Sequence, residues 1–168
     1  MLHIVLYEPE IPENTGNIAR TCVGFNAKLH LIRPYGFFIT DKTVKRAGVD
    51  YWDKLQLEEH DCWDDFLKSI KTEYKIYFLT RYGVNTPDSC GMKSTEDVYL
   101  IFGKESTGIP KEILRDNKDK TVRIPTSENV RSLNLSNCVA MLTYEFAKQN
   151  DYEGLKNSEP HKPLFDEK

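Results

Sequence analysis

Two stretches of the chain, "KIYFLT" (Lys75–Thr80) and "VYLIFG" (Val98–Gly103), are near-continuous runs of β-forming side chains. A strand with one face in water alternates apolar and polar residues, whereas a strand covered on both faces does not. Runs of this kind require helices above and below a sheet, and the intervening sequence supplies them. "HIVLYEP" and "KLHLIRP" read as further buried strands, each closed by a proline, Pro9 and Pro34. "KLQLEE" reads as a weaker strand and "TVRIP" as another. Between them, residues 14–26 place Ile18, Cys22 and Phe25 on one helical face, with Asn14 or Thr15 able to cap it. "DKTVKRAG" reads as a short helix from Asp41 to Gly48, and "DCWDDFLKSIK" as an amphipathic one with Trp63, Phe66, Leu67 and Ile70 inward. "KEILRD" forms one or two helical turns, and residues 133–149 a last long helix.

Strands alternating with helices predict an α/β fold with a mainly parallel sheet and helices on both faces. The 168 residues suit one domain at the usual ~100–200 per domain. Residues 1–150 form that domain, and residues 151–168, polar with two prolines, read as a C-terminal tail that Leu164 and Phe165 can dock.

Open parallel sheets bind ligands at the carboxyl ends of their strands. The polar clusters obey that rule: "PENTGN" follows the first strand, "TRYG" follows "KIYFL", "GKESTG" follows "VYLIF", and "PTSENVRS" follows "TVRI". Four loops are thus expected to converge on one rim. The last is overfurnished, because Arg131, Ser132, Asn134, Ser136 and Asn137 crowd a helix start that one capping side chain satisfies.

Several chemistries are excluded. No glycines are spaced as G-x-G, so the dinucleotide fingerprint is absent. "GKESTG" has the spacing of a phosphate loop, but Ile109 and Pro110 stand where Lys and Ser or Thr would clamp phosphate and magnesium. No G-x-S-x-G elbow occurs, and the four histidines lie outside the polar loops. Cys22, Cys62, Cys90 and Cys138 form no CxxC pair, which suits reduced thiols in the cytoplasm. "HDC" at His60–Cys62 is at most half of a metal site, and no metal is expected. No apolar run approaches the ~18 residues of a membrane span. A net charge of −3 means that a nucleic-acid partner must be met by a local basic patch, one that a second subunit can complete.

Three segments, "EPEIPENTGNIARTC", "IFGKESTGIP" and "RIPTSENVRSLNLSNCVAMLTYE", resemble the signature segments of the SPOUT RNA methyltransferases, and most closely the small TrmL branch. The resemblance spans residues 1–149. It implies a C-terminal trefoil knot, S-adenosylmethionine held in the knotted loops, a homodimer, and 2′-O-methylation of the wobble nucleotide, cytidine or modified uridine, of leucine tRNAs. Another tRNA or rRNA site, or a non-catalytic RNA-binding module on the same scaffold, are the alternatives.

By position, the resemblance assigns Arg20, Asn14 and Glu105 to catalysis, and Leu79, Gly103, Ile124, Ser132 and Leu133 to the cofactor. Arg131, Asn134, Lys45 and Arg46 are expected along the RNA, with Lys42 and Arg81 nearby. Arg20 corresponds to the arginine often described as the general base. A guanidinium, with a pKa above ~12, hardly deprotonates in proteins, so orienting the hydroxyl and stabilising the developing alkoxide is an equally good physical role.

Overall fold

A computed structural model describes residues 1–39, 51–162 and 164. Among the described residues, six parallel strands form one sheet: β1 (Leu2–Tyr7), β2 (Lys28–Ile32), β3 (Leu57–His60), β4 (Tyr74–Leu79), β5 (Asp97–Phe102) and β6 (Thr121–Val122), in the order β3-β2-β1-β5-β4-β6. The helices are α1 (Pro12–Gly24), α2 (Trp63–Ser69), α3 (Lys111–Asp116) and α4 (Leu135–Gln149). The segment 41–48, expected as a short helix, lies outside the described residues, as do Lys42, Lys45, Arg46 and Phe165.

The continuous runs are buried on both sides, as their composition requires. Ile4, Leu6, Leu100 and Phe102 face one core with Ile18 and Cys22 of α1 and Val139 and Leu142 of α4. Val5 and Ile101 point the other way, to Phe66 of α2 and Leu114 of α3. Each fully buried Leu, Ile or Phe contributes about 1.5–3 kcal/mol relative to exposure, so these two apolar layers dominate the folding energy.

Three boundaries differ from the sequence reading. Helix α1 begins at Pro12, with Ile11 at the N-cap and no capping side chain of its own, so Asn14 and Thr15 lie buried inside the helix rather than capping it. Pro at the first helical position is favoured because its missing N–H would have no partner there. Strand β6 is only two residues long, and on its side away from β4 the Arg123 N–H donates to the Asn85 carbonyl at 2.8 Å. Helix α4 begins at Leu135 rather than at residue 133, because Asn134 is its N-cap: its side-chain oxygen accepts from the Ser136 N–H at 2.9 Å. Beyond α4 the chain stays attached for several residues, since the Tyr152 N–H reaches the Ala147 carbonyl at 2.8 Å and Asp151 pairs with Lys93 at 2.7 Å.

All four cysteines are free thiols. Burial pushes Cys22 up to about 12 and Cys90 up to about 11, which keeps both protonated and unreactive. Among the described residues, no helix is long and apolar enough to cross a membrane.

On the α2 side, three buried histidines form a row across the strands. His3 Nδ1 lies 2.9 Å from His30 Nε2, and His30 Nδ1 lies 3.0 Å from His60 Nε2. Asp97 stands 3.7 Å from His3 Nε2, and Glu58 stands 3.8 Å from His60 Nε2. With the proton of His3 on Nε2, the side of Asp97, the row would run in one direction, His30 Nε2 donating to His3 and His60 Nε2 to His30. Burial, the largest cause for each ring, pushes His30 down to about 3 and holds His3 and His60 below their ordinary value.

An unfolded histidine titrates near 6.5, so unfolding takes up protons wherever the folded rings remain neutral. The stability this row confers is complete above pH 6.5 and drains away as pH falls toward about 3, where His30 itself protonates. Thermal melts should therefore show a falling midpoint between pH 7 and pH 5, and His30→Gln should flatten that slope. An equal slope in both proteins would contradict the assignment.

Candidate active site

The carboxyl edge of the sheet carries the loops after β1, β4, β5 and β6, and a single carboxylate ties the first to the third. Glu105 Oε2 accepts the Glu10 N–H at 2.9 Å, and Oε1 accepts the Ile11 N–H at 3.2 Å and the Asn14 side-chain amide at 3.2 Å. Helix α1 has no side-chain cap, and the β5 loop instead holds its N-cap residue, Ile11, and the residue before it. A negative charge there also complements the positive end of the helix dipole.

Asn14 carries the connection onward. Its side-chain oxygen accepts from Asn134 Nδ2 at 3.1 Å, while the Asn134 oxygen holds the start of α4. Asn14 is 5% exposed, so each bond it makes replaces one that water cannot supply.

Two further contacts close the same joint. The Glu10 carboxylate accepts from the Ser106 N–H at 2.9 Å and the Ser106 hydroxyl at 2.8 Å, and Lys104 pairs with Glu8 at 2.5 Å. The bonds from Ser106 hold Glu10 below the ordinary carboxylate range, and the bond to Glu8 raises Lys104 above the ordinary amine range.

The β5 loop folds tightly on itself. A Cβ added at Gly103 would lie 2.2 Å from the Ile109 nitrogen, so no side chain fits there without moving backbone. Gly108, at φ +73°, completes the turn, and its N–H donates to the Lys104 carbonyl at 2.9 Å.

The four loops enclose one cavity of about 720 Å³, within the usual range for small-molecule sites. Leu79, Ile124 and Leu133 supply apolar wall, and Gly103 and Ser132 border it, so all five positions expected at a cofactor line the same space. Asn14, Glu105, Arg131 and Asn134 line it as well. Arg20 does not. It is exposed on α1, six residues past Asn14, which is ~9 Å along the axis at ~1.5 Å per residue and about 120° around it. Its charge is felt by Tyr51, whose hydroxyl donates to the Gly16 carbonyl at 3.3 Å.

Sequence reasoning missed Tyr82, Lys111 and Arg123, which also border the cavity. The "TRYG" loop was legible as a rim loop, but nothing in its spacing singled out the tyrosine. "HDC" is no metal half-site by itself. His60 is buried in the histidine row and Cys62 is exposed. The ligand atoms of His30, Glu58 and His60 lie within 4.8 Å of one another, but Glu58 is engaged by Lys28 at 2.5 Å and the rings by each other.

Residues 1–144 match the SpoU rRNA Methylase family. A protein of Mycoplasma genitalium named as a tRNA (cytidine(34)-2′-O)-methyltransferase is 48% identical over 157 residues, covering 92% of this chain and 95% of its own. A solved structure described under the 2′-OH methylation of C/U34 on tRNA is 40% identical, with a TM-score of 0.83, covering 91% of this chain and 98% of that one. The fold extends to the SpoU methyltransferase AviRb of Streptomyces viridochromogenes, solved in complex with AdoMet. That protein is 21% identical, with a TM-score of 0.75, covering 90% of this chain and 61% of the other.

If Asn14 joins the loops as the geometry indicates, Asn14→Ala should lower stability by about 1–3 kcal/mol in chemical denaturation, because it removes the bonds that a buried side chain makes to the Glu105 carboxylate and the Asn134 amide. Combined with Asn134→Ala, the loss should fall short of the sum by at least about 0.5 kcal/mol. Strict additivity would show that the two amides do not act together.

Proposed function

The chain belongs to the SpoU rRNA methylase family, and from that premise we propose that it transfers a methyl group from S-adenosylmethionine to the ribose 2′-hydroxyl of tRNA nucleotide 34. The reading includes cytidine or modified uridine at that position, in leucine tRNAs, in the cytoplasm. The observation that carries it is the cavity itself: four strand-end loops, locked through Glu105, Asn14 and Asn134, border one space of suitable size.

The residues present fit the methyl donor. Leu79, Ile124 and Leu133 would flank its adenine, and main-chain groups at Gly103 and Ser132 can approach closely where no large side chain intervenes. When bound, S-adenosylmethionine supplies a methyl carbon on a sulfonium, a leaving group that needs no metal. The task left to the protein is to align the hydroxyl oxygen with that carbon and to stabilise charge as the O–H proton departs to solvent. Arg20 serves this step as a fixed cation, orienting the hydroxyl and stabilising the incipient alkoxide while keeping its own proton. Asn14 and Glu105 hold the start of α1, and with it the position of Arg20 on that helix.

A homodimer belongs to the same proposal. Arg20 lies outside the lining of its own chain's cavity, so a second copy would give it a cavity to serve. Ile11 before α1, with Met141 and Tyr144 on the adjoining α4, leaves apolar surface exposed and supports such an interface. The knotted path is likewise proposed. It is supported by β6 lying beside β4 while the chain after it returns to set α4 against α1.

Incubation of the protein with labelled S-adenosylmethionine and purified tRNA, followed by position mapping, should place the 2′-O-methyl group at nucleotide 34. Label at another tRNA position or in rRNA would replace the substrate, and absence of cofactor binding with or without tRNA would replace the enzyme by a binding module. Arg20→Ala and Arg20→Lys should each lose on the order of 10²-fold or more in kcat while cofactor affinity is retained. Full activity in Arg20→Lys would show that the planar fork is not needed.

A further inference from the structure

Tyr82 stands 56% exposed at the border of the cavity, yet its backbone is firmly held. The Gly83 N–H donates to the Thr80 carbonyl at 3.1 Å, the Tyr82 N–H to the Thr80 hydroxyl at 3.3 Å, and the Thr80 N–H to the Val122 carbonyl at 2.9 Å. A Cβ on Gly83 would lie 2.2 Å from the Val122 carbonyl carbon, so the turn sits flush against β6. The Arg123 guanidinium donates to the Arg81 carbonyl and pins the turn from its other side. An aromatic ring thus projects from a rigid mount, with the Arg81 guanidinium over it and more than half of the residue open to solvent.

A lone exposed tyrosine is ordinary, but this one has a specific setting. The Arg81 guanidinium lies 4.7 Å from the ring centroid and donates to the phenol oxygen at 2.5 Å. That bond, followed by the charges of Arg81, Lys111 and Arg131, holds the phenol below its ordinary range. Other exposed tyrosines are spent on one another or on the core: Tyr144 bonds Tyr152, and Tyr74 packs edge-on to Tyr99. Among the described residues the other aromatic bordering the cavity, Phe102, is fully buried.

A flat ring beside a flat cation, fringed by further cations, matches a flat ligand with an anionic backbone. That combination describes an unpaired nucleotide, whose base stacks on aromatic and guanidinium faces while phosphates meet basic side chains. We propose that Tyr82 and Arg81 form a stacking platform for an unpaired nucleobase of the substrate RNA, with Lys111 and Arg131 meeting the flanking phosphates. The platform rests on the RNA-methyltransferase reading and specifies how that site takes its substrate. It lies on the β4–β6 side of the cavity, where Leu79 leads directly into the turn, so a base seated there brings its backbone to the cavity mouth. It also resolves the charge problem, since an acidic protein can hold RNA through a small cationic rim combined with stacking.

The test compares tRNA dissociation constants for the wild type, Tyr82→Ala, Tyr82→Phe and Arg131→Ala across a salt series, with calorimetry for S-adenosylmethionine in parallel. Tyr82→Ala should weaken tRNA binding about tenfold while cofactor affinity holds, and Tyr82→Phe, which keeps the ring, should recover most of the loss. The salt slope should be unchanged in Tyr82→Ala, because stacking releases no counterions, and smaller by about 0.7 in Arg131→Ala. Wild-type affinity in Tyr82→Ala, a loss in Tyr82→Phe equal to that in Tyr82→Ala, or a parallel fall in cofactor affinity would each overturn the platform. Failure of the wild type to bind the methyl donor would instead defeat the methyltransferase reading, while the tRNA comparison would still judge the platform.

Discussion

The Glu105 carboxylate is the contact on which the site depends. It sits in the loop after β5 and accepts two main-chain N–H groups at the start of α1 together with the Asn14 amide. Charge-assisted bonds to backbone donors are stronger than neutral ones, and here they join segments more than 90 residues apart. Asn14 then passes the connection to Asn134 and the start of α4. Three of the four rim loops are therefore positioned relative to one another by a short chain of side-chain bonds. The fourth, after β4, is fixed by its close approach to β6.

This arrangement follows from the sheet. In an all-parallel sheet every strand delivers its following loop to the same edge, so polar residues scattered through the sequence converge without further design. The two apolar layers bury the strands on both faces and leave that edge as the place for polar side chains to meet. The edge also redistributes charge. The chain carries a net −3, yet Arg81, Lys111, Arg123 and Arg131 gather around the cavity, while Glu105 and Glu10 are engaged by main-chain and serine donors. A binding surface of this kind is local and does not show in the overall composition.

Much of this was legible because it rests on periodicity and on strand ends. The strands, the two-sided burial and the four convergent loops all follow from runs such as Val98–Phe102 and from the polar clusters behind them. What escaped depends on tertiary partners. Asn14 has the chemistry of a cap and sits one turn too late to be one, because Pro12 starts the helix and a distant glutamate holds the residue before it. The strand at Thr121 pairs with β4 for only two residues, and its other side is taken by Asn85, 36 residues earlier in the chain. His3, His30 and His60 are ordinary strand residues in sequence, and only the strand order makes them a row. Tyr82 reads as one more turn residue until the cavity is seen beside it. Arg20 presents the opposite case, since the resemblance marks it and the single chain leaves it outside the cavity lining.

Methyl transfer at this site requires its four loops to act as one enclosure for a methyl donor. Amide hydrogen exchange with and without S-adenosylmethionine reads that enclosure segment by segment. The cofactor should slow exchange in peptides covering residues 8–14, 79–83, 103–109 and 123–135 together, with the strands beneath them little changed. Protection confined to one of these loops, or appearing on the opposite edge of the sheet, would contradict it.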